Sequence, residues 1–541
     1  MASGPRSLKS AEPGVGGTAY LSIPLKTGTW RYGFRMVRRR LTGPSFLLAT
    51  VLAITSLVPG TGSAKAVGDH FRWDSWSLPG ADVDGTDVDY GPVVSEQGDL
   101  VGFIYPRRGK QGHRLIFRGS QNHGRSWKAV AVGHRPIGSW AVASSGDGRT
   151  VALVWWQRLA GQDRAVLSMS TDSGHSWTSR TLGSFSRAGG ASPSSWLEAP
   201  ALLMSRGGRR IVAGTRTRRN ELPGVRTLRT TDRGDSWASA SHTLDTDAQN
   251  WTPVFSDSGR VLAVGHLDVA GEFPDTTYTP RVDLSSNGGR SWSRQDLDDP
   301  VPISQAYQVE GGLHAAVSAT GSTAIVSWTS RGATQEHGES ISSAVLNTRH
   351  GEWSVHEGLG GHISMSHNGR RILVSGSRLG ADLTAHPSVT SEVWISRDAG
   401  SSWVSVYQTV GNVSLSGLWV RSATISRNGR RSAFLLCDSG DRAISVLSST
   451  DVGRSWHQTG IKYDTCDLMA SPNGKELAVY GDKGLRVSHN AGMSWRTRIW
   501  RQSPTSAPPP RVAKSADSRL FAFAWPDAIH GGITSGVRRN R

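Results

Sequence analysis

Ser170-Thr171-Asp172-Ser173-Gly174-His175-Ser176-Trp177 is one of seven stretches in this chain with the pattern Ser/Thr-x-Asp/Asn-x-Gly-x-x-Trp. The other six start at Ser120, Thr230, Ser285, Ser396, Ser449 and Ser488, and end at Trp127, Trp237, Trp292, Trp403, Trp456 and Trp495. Their third positions are Asn122, Asp232, Asn287, Asp398, Asp451 and Asn490. The types fit a tight turn. An Asp or Asn oxygen accepts backbone N–H groups. Gly adopts the left-handed conformation that a Cβ disfavours. Trp then opens a strand and buries a large apolar face. An eighth copy, Asn347 to Trp353, is one residue shorter and lacks the acid.

A second landmark alternates with the first. Ser-x-x-Gly followed by an apolar run starts at Ser95, Ser145, Ser205, Ser256, Ser318, Ser366, Ser426 and Ser471, with a degenerate copy at Ser515–Ser518. Pairs such as Asp147-Gly148 and Asn368-Gly369 favour two-residue hairpins. Runs such as Val151-Ala152-Leu153-Val154-Trp155 read as strands. Each unit is thus four strands: A and B flank Ser-x-x-Gly, C runs into the second turn, and D leaves from its Trp. Such units repeated radially make an all-β propeller of antiparallel blades. The count is about nine, with eight or ten as neighbouring possibilities. The last unit lacks a closing Trp motif, and Phe71–Ser77 is a spare β-like piece near the other end. That piece is expected to supply the outer strand of the last blade and close the ring.

The Trp-ended motif resembles the Asp-box, or BNR, repeat of sialidases, sortilin-type receptors and related propellers. The resemblance covers nearly all of residues 70–541 and implies that the Asp-box residues are structural, away from any active site. It also implies an Arg triad, a Tyr nucleophile with Glu, an acid/base Asp and an Arg-Ile-Pro motif in the enzymatic members. No Arg-Ile-Pro occurs here. Tyr307 with Glu310 and Tyr278 with Glu272 are the Tyr/Glu neighbours in plausible loops, and no catalytic residue is carried over.

Composition agrees with turns and one large aromatic per repeat: 64 Gly, 21 Trp and 19% charged residues. A basic cluster (Arg35, Arg38, Arg39, Arg40) precedes the apolar run Phe46–Val58, and Ala64-Lys65-Ala66 fits a small-x-small cleavage site. Residues 1–66 read as an export signal with a long basic region, leaving 67–541 as a secreted propeller without a membrane segment. Net charge is +18, about +10 without the signal. The Lys and Arg are scattered, which argues against specific nucleic-acid binding. Cys437 and Cys466 are expected to form one disulfide between adjacent blades. No metal-ligand spacing, Gly-x-Ser-x-Gly elbow, His-Glu-x-x-His or P-loop occurs, so neither metal nor cofactor is expected.

Function is expected on the face opposite the Asp-boxes. The B–C connections of units four to six are longer, over Leu267–Arg281, Thr329–Ser340 and Ser375–Ser391. Trp140, Trp196, Trp251, Tyr307 and Trp419 each lie 5 to 11 residues before a hairpin Ser. Their rings suit sugar or peptide side chains at a channel mouth. Three readings follow: a monomeric, non-catalytic binder of an extracellular protein or carbohydrate; a divergent sialidase-like hydrolase; or an assembly or sorting factor.

Overall fold

The computed structural model describes residues 73–77 and, with short internal segments left out, residues 91–539. Residues 1–72, 78–90, 187–199, 303–312, 332–338, 380–387 and 500–510 are among those outside it, so the expected signal falls there. The described residues form nine four-stranded antiparallel sheets, one carrying an extra two-residue strand. Each is one blade in the order A-B-C-D. Blade 2, for example, comprises Pro136–Ser144, Val151–Leu159, Gln162–Ser170 and Thr178–Ser186. Blade 9 comprises Arg511–Lys514, Leu520–Asp527 and Gly532–Arg539, completed by Trp73–Ser77 as its outer strand. Trp73 pairs with Arg538 and Ser77 with Thr534, so the two chain ends share one blade.

Packing passes through all nine blades and returns from the ninth to the first. Phe117 and Leu153 share a cluster between blades 1 and 2. Leu167 and Ala213 do so between 2 and 3, and Val212 and Phe255 between 3 and 4. Leu267 and Val326, then Ile325 and Val374, continue the series to blade 6. Leu373 and Phe434, Leu435 and Val479, and Leu485 and Phe523 carry it to blade 9. Phe103 with Ala522 joins blade 9 to blade 1. These interiors are largely apolar because B and C strands, covered on both faces, read as near-continuous apolar runs.

The A–B connection is longer than a two-residue hairpin. Residues Ser145–Thr150 separate the strands, and Gly148 N–H donates to the Ser145 carbonyl at 2.9 Å. Serine leads the turn because its Oγ accepts the N–H five residues on. That bond occurs in all nine turns, including the degenerate one at Ser515. The turns also link to one another: Gln97 N–H donates to Gly146, Gly146 to Arg206, and Ala516 back to Glu96.

In the Asp-box, the Ser or Thr hydroxyl accepts the Gly N–H, as from Gly174 to Ser170 at 2.7 Å. Asp172 Oδ1 accepts the Ser176 N–H at 2.9 Å, and the same bond recurs in all seven full copies. Burial pushes the Asp172 carboxyl up, but bonds from Ser176 and Ser170 outweigh it and hold its pKa at about 2. The residue before each box Gly is also left-handed: Ser173 has φ 60°, and Val452 has φ 66°. The Asp-box turn sits beside the A–B turn of its own blade. Ser173 N–H donates to the Arg149 carbonyl at 2.8 Å and Val452 N–H to Arg430 at 2.9 Å. Both turn types therefore share one face. The B–C and D–A connections occupy the other.

The long B–C connections are shorter than the sequence suggested. In blade 4, strands B and C run Leu262–Ala270 and Thr277–Ser285, pairing out to Ala270–Thr277. Blades 5 and 6 likewise pair out to Arg331–Glu339 and Leu379–Val389. Much of each expected loop is strand, because backbone pairing continues past the apolar run. What remains, 271–276, 332–338 and 380–387, is still longer than the two-residue links 110–111, 160–161 and 220–221 of blades 1–3.

Candidate functional site

The A strands of neighbouring blades approach one another, so strand A is innermost. Four residues before each turn serine lies one residue per blade at a common level near the loop face. In blade order these are Gly91, Ala141, Ala201, Thr252, His314, His362, Ser422, Asp467 and Arg511. Blades 1–3 contribute small residues, and blades 5–9 contribute polar or ionisable ones. The layer is lopsided, with space on one side and hydrogen-bonding chemistry on the other.

Two side chains converge on the small side. A Cβ built on Gly91 meets Trp140 Cη2 at 3.3 Å and Arg511 Cδ at 3.6 Å. An indole from blade 2 and a guanidinium arm from blade 9 therefore flank a residue with no side chain. Trp140 gets there through an irregularity. Strand A of blade 2 shifts register between Ile137 and Ala141, leaving Gly138, Ser139 and Trp140 outside the ladder. Gly138 takes φ 61° there. Such bulges re-aim side chains. Inner strands of blades 4 and 7 shift as well, beside Trp251 and Trp419.

Next to Arg511, the Tyr480 hydroxyl donates to Asp467. Tyr480 is the penultimate residue of strand B of blade 8 (Leu477–Gly481), and Asp467 directly precedes strand A (Leu468–Ala470). Burial and the Asp467 carboxylate push the phenol pKa far above its usual value, against the pull of Arg511. Tyr480 is therefore a protonated donor oriented by its acid partner. On blades 5 and 6, His314 and His362 place their rings 4.4 Å apart at centroids. Burial, then the neighbouring His362, holds the His314 pKa down to about 4, so this ring is neutral at pH 7.

The expected residues divide as follows. Trp140 lies at the mouth. Trp251 and Trp419 lie on inner strands Gln249–Phe255 and Trp419–Ile425. Trp196, Tyr307, Glu310 and Glu272 lie outside the described residues. Tyr278 lies on strand C of blade 4. Box tryptophans sit between blades: Trp127 lies 5.5 Å from Phe103 and Trp177 5.2 Å from Phe117, centroid to centroid. Trp237, Trp353 and Trp495 pack against the clusters of their own interfaces. Cys437 is buried and disulfide-bonded at the end of strand B of blade 7; Cys466 lies outside the described residues. Among the described residues no group of His, Cys, Asp and Glu is placed to hold a metal.

Sequence reading missed Arg511, Tyr480 and Asp467, which no motif marks. It also missed a buried ionic cluster between blades 3 and 4. Asp283, 1% exposed, accepts from Arg294 at 2.8 Å and lies 2.9 and 3.2 Å from His242 and His266. Burial raises the Asp283 pKa, but those three partners outweigh it and keep the carboxylate ionised. The Arg294 guanidinium pairs with this carboxylate through both oxygens, at 2.8 and 3.0 Å, and His242 of blade 3 approaches it from across the interface.

Among the described residues the fold and the mouth define a class: a β-propeller of nine blades with an aromatic, a guanidinium and an acid-oriented phenol at one end of its axis. No protein-family model matches the chain, and no curated protein matches it in sequence. Among solved structures it is similar to the β-propeller domain of the Trilobed protease from Pyrococcus furiosus, at 8% identity and a TM-score of 0.34, over 68% of this chain and 97% of that one. It is similar to a polysaccharide lyase at 10% identity and 0.39, over 72% and 94%. An α-L-arabinanase from Penicillium chrysogenum complexed with arabinobiose gives 15% and 0.30, over 61% and 99%. At such values no activity passes to this chain.

Proposed function

We propose that this is an exported binding propeller that holds an acidic carbohydrate at the loop-face mouth. The observation that carries the reading is the meeting of Trp140 and Arg511 over Gly91. A sugar ring stacks its C–H face on an indole. A carboxylate substituent pairs with a guanidinium in planar, bidentate fashion. Tyr480, whose proton goes to Asp467, sits beside the guanidinium and leaves its oxygen to accept from a sugar hydroxyl. The small residues of blades 1–3 leave room for the ring.

The test is titration of the exported chain with oligogalacturonate and sialyllactose against their neutral counterparts. Binding of an acidic sugar, weakened at least tenfold by Trp140→Ala and by Arg511→Gln, is the expected result. Equal affinity for neutral and acidic sugars, or indifference to both substitutions, refutes it. The Tyr480–Asp467 pair also favours a second reading, glycoside hydrolysis: Tyr480 attacks the anomeric carbon as Asp467 takes the phenol proton, the glycosidic C–O bond breaks and its leaving oxygen takes a proton from water, and a second water then cleaves the glycosyl–tyrosine and returns the phenol. Turnover of a fluorogenic sialoside, lost in Tyr480→Phe, would establish that reading over simple binding.

A further inference from the structure

The turn face, opposite the mouth, carries a charge pattern of its own. Four segments make it in blades 6 and 7: the A–B turns 366–371 and 426–431, and the Asp-boxes 396–403 and 449–456. They hold seven arginines, Arg370, Arg371, Arg397, Arg427, Arg430, Arg431 and Arg454, against two acids, Asp398 and Asp451. Hydrogen bonds tie the four segments together. Ala399 N–H donates to the Arg370 carbonyl at 3.0 Å, and His367 N–H to that of Arg427 at 2.9 Å. Arg397 reaches from blade 6 to blade 7, donating to the Val452 and Gly453 carbonyls at 2.9 Å each. Arginines scattered in the sequence therefore form one basic patch. We propose that this patch binds a linear phosphodiester chain without bases, laid across the turns of blades 6 and 7. The proposal does not rest on the mouth reading.

Three observations carry it. The first is that the architecture does not need these charges. The stems of Arg371 and Arg431 fill the space under Gly429 and Gly474 of the next turn. Leu100, Thr150, Val261 and Thr323 fill the same space elsewhere in the ring. The position of Arg427 is Glu96 in blade 1, Asp257 in blade 4 and Pro472 in blade 8. That of Arg454 is Asp235, Ser401 or Met493 in other boxes.

The second observation is charge without relief. Arg370, Arg427, Arg430 and Arg454 are exposed, and among the described residues none of them makes an ion pair. Asp398 and Asp451 are spent on their own boxes, accepting from Ser402 and Ser455. Burial, then the charges of Arg370 and Arg397, lowers the Arg371 pKa against the pull of Asp398. An anion laid on the patch relieves that crowding.

The third is where the charge stops. On the same face blade 1 presents Glu96 and the exposed Asp99, and blade 9 the exposed Asp517. A flat anionic bilayer covering the face meets those carboxylates; a narrow chain on blades 6 and 7 does not. Guanidinium groups take phosphate oxygens in planar, bidentate pairs. Bases need aromatic platforms, and the tryptophans here are committed to the blades. Trp456 lies 5.1 Å from Phe434 and Trp403 5.9 Å from His356, centroid to centroid.

The experiment is anisotropy titration of fluorescein-labelled poly(glycerol phosphate) with the full chain, at about 50 to 200 mM NaCl. Saturable, salt-sensitive binding is expected. A variant carrying Arg370→Gln, Arg427→Gln, Arg430→Gln and Arg454→Gln is expected to bind about tenfold or more weakly, with a salt slope shallower by about 3, at roughly 0.7 per contact. A control with the same net charge, carrying Arg209→Gln, Arg210→Gln, Arg260→Gln and Arg290→Gln, stays within about threefold. Both sets are exposed, and urea unfolding checks each variant. Arg511→Gln at the mouth leaves the binding unchanged. On the unaltered chain, the polymer is expected to protect Arg370 and Arg430, but not Arg209 and Arg260, from phenylglyoxal. No binding at the lowest salt, equal loss in the two fourfold variants, or no such protection overturns the proposal. So does binding of single-stranded DNA, polyglutamate or phosphatidylglycerol vesicles as tight as that of poly(glycerol phosphate).

Discussion

Gly174→Ala, in the second Asp-box, separates two reasons why a turn position must be glycine. One is local: φ is +87°, where a Cβ costs about 1–2 kcal/mol. The other lies in the next blade. The added Cβ falls 2.0 Å from Cε1 of Phe117, on strand C of blade 1. Phe117 is fully buried, so the ring cannot simply swing aside, and such overpacking costs about 1–3 kcal/mol. The less flexible unfolded chain returns about 0.4–1 kcal/mol. The net expectation is about 3 kcal/mol of lost stability. Two controls isolate the contributions. Gly112 has φ +99° with nothing within 4 Å, so Gly112→Ala reads the backbone cost alone, about 1 kcal/mol. Gly207 has open space and no positive φ, so Gly207→Ala is neutral or slightly stabilising. The assay is urea unfolding of the three variants and of Gly174→Ala combined with Phe117→Leu. The double variant is expected to recover part of the clash, giving a coupling of about 1 kcal/mol or more. Equal losses for Gly174→Ala and Gly112→Ala, with no coupling to Phe117, would refute the view that box glycines are wedges between blades.

Two further outcomes follow from the same geometry. His314 binds a proton below about pH 4 in the folded protein, against 6.5 for its ordinary value. The unfolded chain therefore holds more protons between those values, and stability falls as pH drops through that window. The full effect is about 3 kcal/mol; His314→Gln removes it, seen as a flatter dependence of melting temperature on pH from 7 to 4. Val452 is β-branched at φ 66°. Val452→Asn, a residue that tolerates this region, is expected to gain about 1 kcal/mol in urea unfolding, and a loss contradicts the strain.

The repeating turns were readable because each needs particular atoms. A hydroxyl must lead the A–B turn, and a carboxylate or amide must sit third in the box. The left-handed residue before the box Gly was hidden, because His123, Ser173, Arg233, Ala399 and Val452 all occupy it. Nothing in composition marks a position where the backbone alone is constrained. The B–C loops were overestimated for a related reason. Pairs such as Arg331–Glu339 extend the ladder with residues that look like loop. The mouth was half legible. Trp140 stood out by its place before a turn, but its bulge did not. Arg511, Tyr480 and Asp467 come together only because blades 8, 9 and 1 meet around an axis. A sequence distance of more than 400 residues between Gly91 and Arg511 gives no hint of that contact.

Ring closure by the N-terminal strand is tested by one cross-link. Ser75 faces Gly536 in the register of the outer pair. Paired residues on antiparallel strands have Cα atoms about 4.5–5.5 Å apart, within the span a disulfide accepts. Oxidation of a chain bearing Ser75→Cys and Gly536→Cys, followed by proteolysis and mass spectrometry, is expected to give one linked peptide pair from the two chain ends in a monomer. Free thiols at both positions, or linkage found only between two copies of the chain, would contradict the closed nine-bladed ring.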